Sequence, residues 1–106
     1  MPKVIFVLHR VANLSREQMN EQWRGAQHTA KLDQLPGLTR WVQNTVVGAP
    51  GEPICDGIGE LWFESDEALE RGLNSPEMGA AVEDAKRFLD MDRTGLLIVR
   101  EHEVAR

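Results

Sequence analysis

Near its start the chain carries five consecutive apolar residues, Val4-Ile5-Phe6-Val7-Leu8, and this run constrains the fold more than any other feature. It is short, rich in β-branched and aromatic residues and bounded by polar positions, so it reads as a strand. Val4, Phe6 and Leu8 point to one face and Ile5 and Val7 to the other. Both faces are apolar, and both need cover. Leu96 to Val99 repeats the feature near the other end, with Leu96 and Ile98 opposed to Leu97 and Val99.

The segments between these strands supply one layer of cover. Ser15 is an N-cap with Gln18 three residues on, a capping box, and Leu14 and Met19 occupy the staple positions. The spacing predicts a helix from there to about Leu35, stopped by Pro36-Gly37. Leu38 to Val47 reads as a second strand, 48–53 as a Gly/Pro loop, and Asp56 to Phe63 as a third strand. Ser65-Asp66-Glu67 starts a second helical region, which Asn74-Ser75-Pro76 interrupts before an apolar stripe of Met78, Ala81, Val82, Ala85 and Phe88. Arg93-Thr94-Gly95 is a turn, and the last strand runs from Leu96 to Val99, extending toward Glu103. The order β-α-β-β-α-β defines an α+β, ferredoxin-like fold: a four-stranded antiparallel sheet with the helices on one face. With 106 residues, a single domain over 1–106 is expected. The second face of the sheet then calls for a second copy, a homodimer, since monomers rarely leave large apolar patches wet.

Composition narrows the partners. A net charge of −5 leaves no excess of Lys and Arg to replace the counterions of nucleic acid or to hold an anionic membrane. One cysteine, Cys55, cannot form an internal disulfide, which fits a reducing cytoplasm. The opening apolar run is too short for a signal sequence or a membrane span, so a cytoplasmic location is expected. His9, His28, His102 and Cys55 are widely spaced, with no metal-ligand pattern. No glycine-rich loop joins a strand to a helix, so no nucleotide cofactor is expected either.

Three clusters carry candidate chemistry: Trp23 and His28 on the first helix, Thr39-Arg40-Trp41 on the second strand, and Asp56 to Phe63 on the third. His28 has the proton affinity of a general base or acid near neutrality, although a lone helical histidine is more often structural. Its position raises a difficulty. At about 100° per residue, Met19, Trp23, Ala26 and Ala30 share one helix face while His28, Leu32 and Leu35 fall nearly opposite. One extra residue taken up as a π-bulge near Gly25 would swing the two stripes together. On the third strand, Gly57, Gly59, Leu61 and Phe63 share a face, and the glycines either leave room for an apolar pocket or admit a bulge or a close helix. Glu60, on the other face, needs a cationic partner, with Arg40 and Arg100 as candidates, and Trp62 reads as an interface anchor.

The pattern Met19-x3-Trp23…His28-x7-Pro36-Gly37, then Cys55-Asp56-Gly57-Ile58-Gly59-Glu60-Leu61-Trp62-Phe63, then Ser75-Pro76-Glu77 and Phe88, resembles the EthD-domain family of dimeric α+β barrels. The resemblance covers nearly the whole chain and is most specific in the block from Asp56 to Phe63. Members of that family include methylmuconolactone methylisomerase, a cofactor-free isomerase of aromatic catabolism, and fungal decarboxylases and dehydratases that tailor polyketides. The resemblance implies that His28 faces a pocket between helices and sheet and that Trp41 is an aromatic pocket residue. Leu61 stands where methylisomerase-like members have cysteine, and the chain has no Tyr, which removes two proton donors. The expectation is a cofactor-independent enzyme of isomerase, lyase or cyclase type acting on an apolar or aromatic oxygenated metabolite. His28 would move the proton, Asp56 would orient His28 or a substrate hydroxyl, and Trp23, Trp41, Leu61, Phe63 and Phe88 would form the walls. Two alternatives stand beside it. One is a non-catalytic small-molecule-binding accessory protein of a degradation pathway. The other is a small monooxygenase of the same fold, in which a haem would need His9, His28 or His102 as ligand.

Overall fold

The structure, a computed structural model, describes residues 2–106. Its elements in chain order are β1 (Pro2–Leu8), α1 (Arg16–Arg24), α2 (Ala26–Leu32), β2 (Leu38–Thr45), β3 (Gly57–Phe63), α3 (Asp66–Leu73), α4 (Pro76–Ala85) and β4 (Gly95–Arg100). The strands form one sheet in the order β2-β3-β1-β4, and every neighbouring pair is antiparallel. This is the ferredoxin-like α+β arrangement, with the apolar β1 at its centre.

Local sequence explains the helix ends. The Ser15 side chain accepts from the Gln18 amide at 3.1 Å, and the Gln18 side chain returns a bond to the Ser15 amide at 2.8 Å. Ser65 and Ser75 cap α3 and α4 in the same way, by accepting from the amides of Ala68 and Met78. Gly37 follows Pro36 with φ of +78°, a conformation that favours glycine, and a Cβ there would meet the Cβ of Ala68 at 3.0 Å.

The first helical region departs from the single helix expected up to Leu35. It is two helices, broken at Gly25, which caps the end of α1 and the start of α2 in an extended conformation (φ −69°, ψ 154°). The conflict of phase is real, but the device is a break and not a π-bulge. One extended residue re-aims the axis, so that Met19 and Trp23 of α1 and His28 and Leu32 of α2 are all buried. Ala26 and Ala30, which share the face of Trp23 in an unbroken helix, are exposed.

The core lies between the helices and the inner sheet face. Val4, Leu32, Leu35, Leu61 and Phe63 pack against α3 and α4 at one end, and Leu8, Met19, Trp23, Phe88 and Leu89 pack at the other. The glycines of β3 admit a close neighbour. The indole of Trp23 lies over them, so that a Cβ on Gly57 would stand 2.9 Å from Cζ3 of Trp23 and a Cβ on Gly59 would stand 3.6 Å from Cζ2.

The outer face of the sheet carries Ile5, Val7, Ile58 and Leu97 around a polar centre. There Glu60 pairs with Lys3 at 2.8 Å and also accepts from Asn44 at 2.9 Å. The partner of Glu60 is therefore Lys3. Arg100 reaches Asp66 instead, and Arg40 stacks on the Trp62 ring at 4.5 Å. The edge strand β4 is apolar and exposed on both sides: Leu96 and Ile98, in register with Phe6 and Val4, keep 45% and 61% of their surface, and Leu97 keeps 54%. No helix of the described residues is long and apolar enough to cross a membrane.

Gly57 and Gly59 give a paired test. Gly57→Ala forces the Trp23 ring to shift and should cost about 1–3 kcal/mol of stability, as overpacking does. Gly59→Ala makes an ordinary contact and should leave the thermal midpoint unchanged or slightly raised. Equal effects of the two in thermal unfolding would contradict the close approach of Trp23.

Candidate active site

α2 and α4 lie side by side, and their facing residues build the site. His28 on α2 is buried, and its Nδ1 lies 3.0 Å from Oδ2 of Asp84 on α4. Asp84 is also buried and carries further donors: Gln27 Nε2 at 2.9 Å, Arg87 Nε at 2.9 Å and Arg87 Nη2 at 3.0 Å. Arg87 in turn donates to Gln22 Oε1 of α1 at 2.8 Å. The Phe88 ring stands edge-on to the imidazole, with centroids 5.1 Å apart. An ionised carboxylate can only accept, so Nδ1 of a neutral His28 carries the hydrogen and Nε2 keeps its lone pair. Nε2 has no hydrogen-bond partner among the described residues.

The electrostatics favour this state. The Arg87 hydrogen bonds, outweighing burial, bring the Asp84 carboxyl down from its ordinary 3.8 to about 2, and His28 and Gln27 act in the same direction. Burial lowers the His28 pKa below its ordinary 6.5 and outweighs the opposing pull of Asp84. Arg87 acts in the same direction as burial, because its positive charge near the ring opposes a second cation there. At neutral pH the pair is an imidazole and a carboxylate, with the ring held in one tautomer.

His28 lines an apolar cavity of about 70 Å³ between α2, α4 and the sheet, room for several water molecules. Trp23, Trp41 and Leu61 share this lining with Phe6 and Met78. The Trp41 indole is fixed by its N–H, which donates to Asp33 at 3.0 Å just beyond α2. Among the described residues of the lining, His28 is the only titratable side chain and Thr94 the only hydroxyl. Thr94 Oγ1 accepts from the His9 amide at 3.2 Å, so its own hydrogen remains available to a guest.

The site thus unites Trp23, His28, Trp41 and Leu61 and excludes three other expected members. Asp56 precedes β3 and does not reach His28; it is bound by Arg10, both through its backbone amide at 2.9 Å and through its guanidinium, and by Arg16 at 3.2 Å. Phe63 shares the inner face with Leu61 but lies two residues further along, beneath α3, where it fills the space left by Gly72. Phe88 is fully buried just past α4 and touches the imidazole from the side without lining the cavity. Asp84 is the member that the sequence motifs miss, although the sequence holds a signal for it: with Ala81, Ala85 and Phe88 it continues one helical stripe, as a lone acid among buried apolar positions. In the sequence Thr94 marks only a turn. Among the described residues no three His, Cys, Asp or Glu side chains gather to hold a metal ion.

An inner-facing histidine and carboxylate over a four-stranded sheet define a ferredoxin-like α+β protein with a buried polar pair at an apolar cavity. A family model for the EthD domain matches residues 12–92, and the chain belongs to the EthD family. Among solved structures, an EthD family protein of Bacillus halodurans superposes with a TM-score of 0.81 at 23% identity, over 96% of this chain and 99% of that one. A protein of Arabidopsis thaliana gives 0.76 at 18% identity, with both chains fully covered. A protein of Bacteroides fragilis described as dimeric and ferredoxin-like gives 0.68 at 10% identity, over 94% of this chain and 95% of that one. No curated protein matches the chain in sequence.

The shifted pair predicts a specific acid response. Asp84 binds its proton more weakly in the folded chain, so its contribution is complete above pH 3.8 and is lost as pH falls toward about 2. His28 also resists protonation when folded, so its contribution is complete above pH 6.5 and declines below that. Asp84→Asn should lower stability at pH 7 and flatten its pH dependence between about pH 4 and 2. Denaturant unfolding at a series of pH values, followed by tryptophan fluorescence, reads both effects.

Proposed function

We propose that this protein is a cofactor-independent enzyme that moves a proton on a small, mostly apolar or aromatic oxygenated metabolite, in an isomerisation, cyclisation, dehydration or decarboxylation. The observation that carries the reading is the buried His28–Asp84 pair, whose imidazole lines a largely apolar cavity. Nε2 is the base: it takes a proton from a carbon next to a carbonyl, and the resulting imidazolium is held by Asp84. The Thr94 hydroxyl, in the lining of the same cavity, donates to the oxygen on which charge develops. Trp23, Trp41 and Leu61 shape the walls and exclude water.

One base in the cavity has a consequence for the chemistry. The group that removes the proton is also the group that returns it, so removal and return occur on one face of the substrate. Proton transfer to solvent then competes with return, and exchange into D2O reports the step without knowledge of the full reaction. Small aromatic and lactone carbonyl compounds, incubated with the protein in D2O and followed by NMR, should exchange the proton next to the carbonyl. His28→Ala should slow that exchange by about 10²–10⁴-fold. Asp84→Asn should reduce it with little change in ligand affinity. Binding of these compounds with no exchange in the parent protein would favour a carrier or accessory role instead.

The same reading includes a homodimer. Several related structures are described as dimeric, with a ferredoxin-like fold. Here the outer sheet face offers Ile5, Val7, Ile58 and Leu97, and its central charge, Glu60, already has Lys3 as a partner within the chain. Burying the centre of that face therefore leaves Glu60 paired, with Arg40 of the edge strand β2 stacked on Trp62. Sedimentation should show dimers for the parent and monomers for Leu97→Arg, and dimers in both would refute this interface.

A further inference from the structure

At the end of β1 away from its first residue, a second hollow of about 230 Å³ lies among the β1–α1 connection, the loop before β3 and the turn before β4. Unlike the apolar cavity it is polar, and it brings together His9, Arg10, Arg16 and Arg93 with the carboxylates of Glu52 and Asp56. Three guanidiniums converge there on a chain whose net charge is −5.

Asp56 is buried and fully used. One oxygen takes the Arg10 guanidinium and Arg16 Nε, and the other takes the Arg10 amide. Its carboxyl lies below the ordinary range, where the Arg10 and Arg16 contacts overcome the cost of burial. The backbone is pinned as well, since the Asp56 amide donates to the Leu8 carbonyl at 2.8 Å and Arg10 bridges to Leu89. Asp56 therefore orients the two arginines and leaves donors over. Arg10 Nε is spent on the Leu14 carbonyl at 3.0 Å, but Arg10 Nη2 and both terminal nitrogens of Arg16 have no hydrogen-bond partner among the described residues. Arg93 is exposed and makes no ion pair among the described residues, and neither does Glu52.

We infer that this hollow binds a small oxyanion, a carboxylate or phosphate group, between the free guanidinium edges of Arg10 and Arg16 and the side chain of Arg93. Planar guanidiniums match both groups through paired N–H donors, and two of the three are held in place before the ligand arrives. Glu52 opposes binding and sets its strength. The hollow shares no lining residue with the His28 cavity, and the two adjoin where the His9 amide donates to Thr94.

Calorimetric titration at constant ionic strength tests this with two probes, inorganic phosphate and succinate, against chloride as the background anion. Saturable binding of phosphate alone assigns a phosphoryl ligand, and saturable binding of succinate alone assigns a carboxylate ligand. Arg93→Ala, an exposed change that removes no pairing, should weaken binding about tenfold, and Glu52→Gln should tighten it. Arg71→Ala, a change to another exposed arginine remote from the hollow, and His28→Ala should leave it unchanged. No saturable binding of either probe, or equal binding by the parent and Arg93→Ala, would overturn the assignment.

Discussion

A carboxylate buried in an apolar helix face must be satisfied, and Asp84 is where that requirement organises the molecule. Its two oxygens take four bonds: one from His28, one from Gln27 and two from Arg87. Those donors come from α2 and from the turn after α4, and Arg87 continues the chain of contacts to Gln22 on α1. Withdrawing any of them would leave a charge in a medium where lone ions are costly. The demand for donors fixes how α2 lies against α4, and with it the direction of the His28 ring. The hydrogen bond that completes the shell of Asp84 is the same one that fixes the tautomer of His28.

The break at Gly25 makes this geometry reachable. Trp23 and His28 are needed on the same side of the chain, and an uninterrupted helix holds them nearly opposite. An extended residue between two short helices costs one turn of backbone bonding, and both helix ends still find partners: the Gly25 amide donates to the Gln22 carbonyl, and its own carbonyl accepts from His28 and Thr29. The break thus adds no unsatisfied backbone groups at Gly25 and sets the depth to which the imidazole descends.

Much of the architecture was legible in the residues because it is locally encoded. The apolar runs of β1 and β4, the serine caps of the helices and the turn at Pro36-Gly37 each express a short-range preference, and the element order then follows. The conflict of phase in the first helical region was also legible, but its resolution was not. A periodicity shows that two stripes disagree; it does not say whether a bulge or a break reconciles them. Asp84 is hidden in the sequence because its neighbours Ala81 and Ala85 make the stripe read as plain core, and its meaning depends on a residue 56 positions away. Asp56 does not orient His28: it stands just before the start of β3 at Gly57, and its partners are Arg10 and Arg16, a pairing across 40 positions or more that leaves no local signal. Phe63 has the inward phase expected of it but lies too far along the strand, which phase alone cannot reveal.

The floor beneath Trp23 is two glycines of β3, bare backbone with no side chains of its own. The bulk in that part of the interior therefore comes from the indole above and not from the sheet below. A smaller residue at position 23 would uncover the main chain and enlarge the chamber downward, without moving a strand or disturbing the hydrogen bonds around Asp84. Its capacity is thus adjustable by exchange of a single side chain, a freedom by which proteins sharing this architecture could come to receive guests of different sizes.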